Sequence, residues 1–491
     1  MALFGWLRRS KQKPRQTLRE RQAALPLKRL RLRATYDAAQ STTQTSRHWA
    51  AADALSADRA NSYSVRKTLR QRARYEVANN SYARGILETY VNDVVGTGPR
   101  LQVLTDDEEL NDAVEAAWRE WSLAVSLARK LRTLHRARVC DGEGFAHMRT
   151  NPKIDCPVQL DLALIECDRV ASPQLTLDAK NVDGVILDEY GNVEEYQVLK
   201  GHPGGADFSV GYEHDVIPAQ YMLHWFRMDR PEQHRGVPEI MPALELFGQL
   251  RRYTQAVLSA AETAADIAAI LWTDAPADGE AEVVEPLDAI ELQRNMMLSM
   301  PAGWRMDQMK TEHPPTTYPD FKQEVLKEIA RCVAMPYNLA AGDSSKSNFA
   351  SGRLDHQGYQ RMISVTQFDM GQEIVNAILT EWLAEARMAY GFDLPASFEH
   401  VWFWDGPNYA INPLQEAKAQ ATRLKNHTTT FAHEYARQGR DWQKEFRQCA
   451  RELREMQKLG LPQPEPEKGV AAEASDAIEE LMQEVEDALS K

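Results

Sequence analysis

Apolar residues recur at helical spacing over two early stretches of the chain. Across residues 50–95, Leu69, Ala73, Val77, Ile86 and Tyr90 keep this spacing, and Gly96-Thr97-Gly98-Pro99 ends the run. Across residues 106–140 a second stripe carries Leu110, Val114, Trp118, Trp121 and Val125. From 141 to about 228 the period shortens towards two and turn residues multiply. This predicts strands over 158–165, 185–187, 196–199 and 222–226. Leu187-Asp188-Glu189-Tyr190-Gly191-Asn192, between two of them, is a hairpin-turn candidate. Blocks of helix beside a block of strands, without regular alternation, predict an α+β fold.

The next pattern is longer. Pro238 and Pro242 stand where a helix can begin, and only Gly248 interrupts before Pro276. Leu244, Phe247, Tyr253, Val257, Ala261, Ala264, Ala268 and Leu271 follow one stripe, and seven of the fourteen residues 256–269 are alanine. Alanine favours helix and lets a neighbouring helix approach closely. A helix of about 30 residues would span about 45 Å. Residues 274–317 change texture, with five prolines and an acidic patch at 280–285, and read as a small protruding module. Pro319 opens a second helix carrying Phe321, Val325, Ile329 and Val333, which stops before Pro336. A loop rich in Gly, Ser and Ala at 338–348 precedes a long helix over about 350–388. Strand character returns at 398–404 and helical character over 413–459. Pro462-Gln463-Pro464-Glu465-Pro466 is a linker. In residues 471–491, Ile478, Leu481, Val485 and Leu489 keep helical spacing among seven acidic residues and one basic residue. An isolated helix of this length is weakly ordered without a partner.

Composition narrows the class. The 491 residues are 43% hydrophobic and 26% charged, as in globular proteins of several domains. No apolar run reaches the roughly 18 residues of a membrane span. The apolar start followed by Arg8-Arg9 reverses the order of a signal peptide, so a cytosol-like compartment is expected. Five scattered cysteines (Cys140, Cys156, Cys167, Cys332, Cys449) form no C-x-x-C pair and predict neither disulfides nor zinc. Residues 1–35 hold eleven Lys/Arg and one acid, a basic arm on a chain whose net charge is −13, leaving −23 on the rest.

Catalytic motifs are missing. Gly342-Asp343-Ser344-Ser345-Lys346-Ser347 mimics the tail of a phosphate-binding loop but lacks the glycine before the lysine and the preceding strand. His433-Glu434 begins like a zinc-protease helix, but Arg437 stands where the second histidine belongs. Asp141 with Glu143 and Glu166 with Asp168 are paired carboxylates, suited to Mg²⁺ or acid–base chemistry and equally to turns and ion pairs. They define one alternative, a metal-dependent enzyme acting on nucleic acid. A helical capsid scaffolding or adaptor protein is another. The main expectation is a non-enzymatic protein without cofactor or metal.

Several short stretches carry a family resemblance. They are Arg72-Ala73-Arg74, Asn79-Asn80-Ser81-Tyr82-Ala83-Arg84-Gly85, Val94-Val95-Gly96-Thr97-Gly98, Val182-Asp183-Gly184-Val185 and Asp188-Glu189-Tyr190-Gly191. Ile217-Pro218-Ala219, His224-Trp225-Phe226 and Arg230-Pro231-Glu232-Gln233-His234-Arg235-Gly236-Val237-Pro238 then lead into the long helix. In this order and spacing the chain resembles the lambda-type tailed-phage portal proteins over about residues 36–460; the acidic tail after Pro466 has no counterpart in the resemblance.

The resemblance implies a ring, usually of twelve subunits, at one capsid vertex, with an α/β wing, two stem helices, a clip between them, a tunnel loop and a helical crown. Mapped onto this chain it implies a basic arm (1–35), a wing in two parts (36–242 and 351–412), stem helices (243–273 and 318–335), a clip (274–317), a tunnel loop (336–350), a crown (413–461) and a linker with acidic tail (462–491). It further implies double-stranded DNA in the channel, contacted by Ser344, Ser345, Lys346 and Asn348. Stem packing would use Ala261, Ala264 and Ala268. Implied partners are the terminase large subunit, the major capsid protein and scaffold, and head-completion or neck proteins. No membrane is implied, and the location is the virion after assembly in the host cytoplasm.

Overall fold

Two units divide the chain, residues 1–60 and 61–491. The computed structural model describes residues 45–173, 180–205, 213–266, 270–273, 304–307, 317–345, 349–395, 397–404, 413–436 and 442–461. Within the first unit these residues include two short helices, α1 (Thr45–His48) and α2 (Ala57–Ala60).

The second unit opens with α3 (Tyr63–Asn79) and α4 (Ser81–Val95). The predicted single helical stretch is thus broken at Asn80, which leaves helical geometry so that its side-chain oxygen accepts from the Tyr82 and Ala83 N–H groups. That is an N-cap, and it satisfies two otherwise orphaned donors. After Gly96 come β1 (Arg100–Leu104), α5 (Glu108–Ala124) and α6 (Leu127–Asp141). Ser126, left-handed at φ 55°, separates the last two, where periodicity alone showed one stripe.

The strand region contains β2 (Glu143–Thr150), β3 (Leu160–Ile165), β4 (Asn181–Val182), β5 (Val185–Leu187), β6 (Val193–Leu199), β7 (His214–Pro218) and β8 (Met222–Phe226). They form two antiparallel sheets, in the orders β3-β2-β8 and β4-β5-β6-β7. The hairpin between β5 and β6 turns as predicted. Asp188 Oδ1 accepts from the Tyr190 and Asn192 N–H groups, and Gly191 takes φ 86°.

Next come α7 (Leu244–Asp266), then β9 (Ile270–Thr273) paired antiparallel with β10 (Trp304–Asp307), then α8 (Tyr318–Arg331). The expected helix over 243–273 is therefore shorter. Its last residues are a strand, and 23 helical residues span about 35 Å. Likewise the second helix stops at Arg331 rather than 335, because 332–334 form turns before Pro336.

Next come α9 (Tyr337–Ala341), α10 (Phe349–Met370), a π-helical turn (Gly371–Val375) and α11 (Asn376–Tyr390). They realise the long helix expected over 350–388, re-phased once by the π turn. β11 (Glu399–Phe403) returns to pair antiparallel with β1. Helices α12 (Pro413–Lys425), α13 (Phe431–Ala436) and α14 (Trp442–Leu459) complete the described chain.

One large core joins α3–α6, β2, β3, β8, the root of α7, the inner end of α8 and α10–α11. Its centre is aromatic. Trp118 lies 4.9 Å from Trp121, 5.3 Å from Trp382 and 5.4 Å from Trp402, ring centre to ring centre. A smaller core under the four-stranded sheet holds Phe145, Val170, Val185, Tyr196, Val198 and Met222.

Candidate functional site

Helix α3 projects Arg66, Arg70 and Arg74 at i, i+4 and i+8, so the three guanidinium groups share one face. They meet carboxylates from four separate segments. Arg66 pairs with Asp183, and Arg70 with Glu143 and with Asp168 at 3.4 Å. Arg74 pairs with Asp141 and Asp168 at 2.7 Å each and with Glu166 at 3.3 Å.

Arg235 completes the cluster from the loop before α7. Its Nε and a terminal N–H reach the two Glu143 oxygens at 2.8 and 2.7 Å, the planar fork geometry that makes arginine–carboxylate pairs strong. Glu143 is wholly buried and also accepts from Gly236 N–H at 3.1 Å and from His224 Nε2 at 3.2 Å. Burial alone would raise its pKa; the Arg235 charge, the His224 bond and Arg70 overcome this and hold it well below the ordinary carboxylate value. Arg66 is lowered to about 10 by burial first and by the Arg235 charge second.

His224 stacks between Phe145 and Phe226, and its Nδ1 lies 3.3 Å from the Tyr196 hydroxyl. Carboxylate at Nε2 and hydroxyl at Nδ1 match the neutral Nε2–H form, and burial keeps its pKa below the ordinary histidine value.

The Arg235-Gly236-Val237-Pro238 stretch acquires a physical meaning here. A Cβ on Gly236 would collide with the Gly142 carbonyl, and Gly142 itself sits at φ 97° against the Val237 backbone. Two backbones touch at this point, which only glycine permits. Gln233 ties the loop from within: its side-chain oxygen accepts from the Asp229 and Arg230 N–H groups at 3.0 and 3.1 Å. The cluster therefore fastens α3, the start of β2 and both sheets to the loop that leads into α7.

The two suspected carboxylate pairs, Asp141/Glu143 and Glu166/Asp168, come together in this one cluster, facing arginines. Glu143 has its oxygens engaged by two arginines, a histidine and a backbone N–H. Among the described residues one group has the composition of a metal site, Glu166, Asp168 and His202. Its geometry opposes that use. Arg74 already occupies both carboxylates, and His202 Nδ1 accepts from Gly204 N–H at 2.9 Å. The proton of neutral His202 then sits on Nε2, the atom facing the acids, leaving no lone pair there for a cation. Sequence reasoning missed the arginines; their i, i+4, i+8 spacing was the available signal.

Helices α7 and α8 extend from this base. Leu244, Phe247 and Leu250 root α7 in the core, and beyond Leu250 none of its described side chains is buried. Helix α8 is buried only at Leu326, Ile329 and Ala330, its inner end. The exposed parts of α7 and α8 pack on each other. Tyr253 lies 5.7 Å from Tyr318 and 4.9 Å from Phe321, and Thr254 Oγ1 is 3.2 Å from the Tyr318 hydroxyl. Ala261 is half-buried on this rod. Ala268 and the Ala264 side chain lie outside the described residues, as does nearly all of 274–317.

Of the four loop residues, Ser344 and Ser345 are exposed just after α9, whose end is capped by left-handed Gly342. Lys346 and Asn348 lie outside the described residues, as do the arm 1–35 and the tail from 462. The stretch follows a short helix, so the phosphate-loop likeness lacks its strand.

A family of phage structural proteins matches this architecture: the profile described as "Phage portal protein, lambda family" aligns with residues 42–367. Since that is more than half of the chain, the chain belongs to the lambda family of phage portal proteins. Curated relatives agree. A probable portal protein of Halomonas phage phiHAP-1 is 24% identical over 82% of this chain and 83% of its own length. Portal protein B of Escherichia phage lambda is 22% identical over 79% and 84%, respectively. Among solved structures, a chain in the virion of a native gene transfer agent particle is similar with TM-score 0.46 and 15% identity, over 75% of this chain and 92% of that one. Another, in the neck of such a particle computed with C12 symmetry, has TM-score 0.44 and 15% identity, over 73% and 88%.

Proposed function

We propose that copies of this chain close into a twelve-membered ring whose channel passes double-stranded DNA into and out of a capsid. The observation that carries the reading is the paired rod. Helices α7 and α8 leave the core at one end, pack on each other through Tyr253, Tyr318 and Phe321, and connect through the β9–β10 ladder. Such a rod has little to cover it within one copy. A ring supplies the cover, because a head-to-tail interface that closes after a fixed rotation buries the same face on every copy.

In this reading residues 243–273 and 318–335 form the stem, here with the helix ends revised to Asp266 and Arg331. Residues 274–317 form the clip, which docks the terminase large subunit during filling and neck or head-completion proteins afterwards. Residues 36–242 and 351–412 form the wing, facing the major capsid protein and scaffold, and 413–461 the crown. Ala261, Ala264 and Ala268 pack between stem helices. ATP hydrolysis belongs to the terminase.

DNA must slide without being gripped. Each phosphate neutralised by Lys or Arg adds affinity, so a dense cationic lining would stall movement, whereas a chain carrying −23 outside residues 1–35 repels the duplex from the wall. Of the loop expected over 338–350, residues 338–341 belong to α9, with Ala340 in the core, and 349–350 begin α10. In this reading the stretch between the two helices reaches into the channel, with Ser344, Ser345 and Asn348 offering neutral hydrogen bonds and Lys346 one mobile positive charge. Lys346→Glu is expected to reduce DNA packaging or retention with ring assembly intact; unchanged packaging removes the claim for this loop. The enzyme alternative is disfavoured by the occupied lone pairs of Glu143, and a nuclease and ATPase assay of the purified protein should find neither activity.

A further inference from the structure

Helix α14 carries an apolar seam that the described fold covers only in part. Trp442, Phe446, Cys449, Leu453 and Met456 follow one another at spacings of four, three, four and three residues, the repeat of a helix that packs along a partner helix. The first turns of the seam are partnered. Phe446 lies 5.1 Å from Phe431, 5.9 Å from Tyr435 and 5.5 Å from Trp442. Lys444 and Arg447 tie the same turns to the wing, at Glu115, Glu108 and Asp112.

Beyond Phe446 the seam continues over open surface. Cys449 is exposed, Leu453 is 41% exposed and Leu459 66%, and no residue of α14 is buried. The helix has five basic residues against three acidic ones; its uncovered half holds Arg451, Arg454 and Lys458 beside Glu452 and Glu455, with Lys458 paired to Glu455 at 3.1 Å.

We propose that the acidic segment 471–491 of the same chain docks on this half of α14. Three observations favour it over a second copy. The segment brings seven carboxylates and one lysine to Arg451 and Arg454, whereas the same half of α14 in another copy would bring only Glu452 and Glu455, the latter already paired with Lys458. Its Ile478, Leu481, Val485 and Leu489 form a stripe of matching kind, apolar at helical spacing. Sixteen residues separate Leu461 from Ile478, with a reach of up to about 50 Å in extended form. The uncovered half of α14 is only about 15 Å long. Tethering presents the segment at about millimolar effective concentration, so a contact too weak to hold between free molecules holds within one chain. The docked segment completes the seam and turns an apolar surface of nearly balanced charge into an acidic one.

Hydrogen exchange on the full chain and on a variant lacking residues 471–491 tests the proposal. Removal should speed exchange of amides 449–459 at least about tenfold. Arg451→Glu with Arg454→Glu in the full chain should do the same, with α4 and α6 unchanged as internal controls. Equal rates at 449–459 overturn the proposal. The source of the occupant is read separately by bridging Cys449 to Leu481→Cys or Val485→Cys with a short bismaleimide, with Glu479→Cys on the polar face as control. A product of single-chain mass at the apolar-face positions is expected. A product of two-chain mass, equal reaction of the control, or no product at either apolar position overturns the proposal. Ring size, measured by mass in parallel, separates this outcome from failure of the ring reading.

Discussion

Replacing Glu143 with glutamine removes one charge and one acceptor at the most connected point of the ion cluster, with almost no change of shape. In the native fold its carboxylate faces Arg70, both arms of Arg235, His224 and the Gly236 N–H, all away from water. The amide leaves two buried arginines short of a counter-charge and turns an NH₂ group towards one of them. Breaking a buried ion pair by removing one partner costs about 3–5 kcal/mol. In a cooperative unit of 150–250 residues, each kcal/mol lowers the melting midpoint by about 2–4 °C. The expected fall is therefore roughly 6–20 °C, by calorimetry at pH 7.5. Replacing both members, Glu143→Gln with Arg235→Met, should cost less than the two single changes together, because neither charge is then stranded. A fall below about 2 °C for Glu143→Gln, or additivity in the pair, refutes the view that this cluster holds the root of α7 to α3 and the two sheets.

Other outcomes follow from the same geometry. Gly236→Ala forces apart two touching backbones and should leave little soluble folded protein, whereas Gly191→Ala, at an open turn with φ 86°, should be milder in the same solubility assay. Trp382→Ala empties the centre of the tryptophan cluster and should cost about 3–5 kcal/mol in thermal or urea unfolding. His135 and His224 are both held neutral by burial, so below about pH 6.5 the unfolded chain binds more protons than the fold and stability falls as pH falls. A melting midpoint that stays flat from pH 7.5 to 5 contradicts this. Lys444→Ala removes a half-exposed cation from the buried Glu115 carboxylate, which keeps its bond from the Val103 N–H, and should cost about 1–3 kcal/mol in thermal or urea unfolding.

Much of the fold was legible because one physical signal, periodicity, dominates where a face is buried. The strands 185–187 and 222–226 stand where alternation put them, and the Trp118–Trp121 stripe is the centre of the core. Breaks were less legible. Asn80 caps one helix by leaving another, and Ser126 reverses the chain at positive φ, yet neither is a proline or glycine. Strand β2 escaped because it lies between β3 and β8 and is buried on both faces, which erases alternation. The α7 helix was read too long because alanine-rich sequence carries no stop signal, and the strand after it is defined by pairing with residues more than thirty positions away. The carboxylates of the ion cluster were visible in sequence as turns or ion pairs. Their arginine partners come from segments up to 117 positions distant, and only the fold brings them together.

Electron microscopy of the purified full-length protein tests the central claim most directly. The account predicts closed rings with an open axial channel and a stalk formed by the α7–α8 rods, with a particle mass near about 670 kDa for twelve 55.7 kDa copies. Single compact particles of one or two copies, with the rods folded against their own wing and no channel, would contradict it.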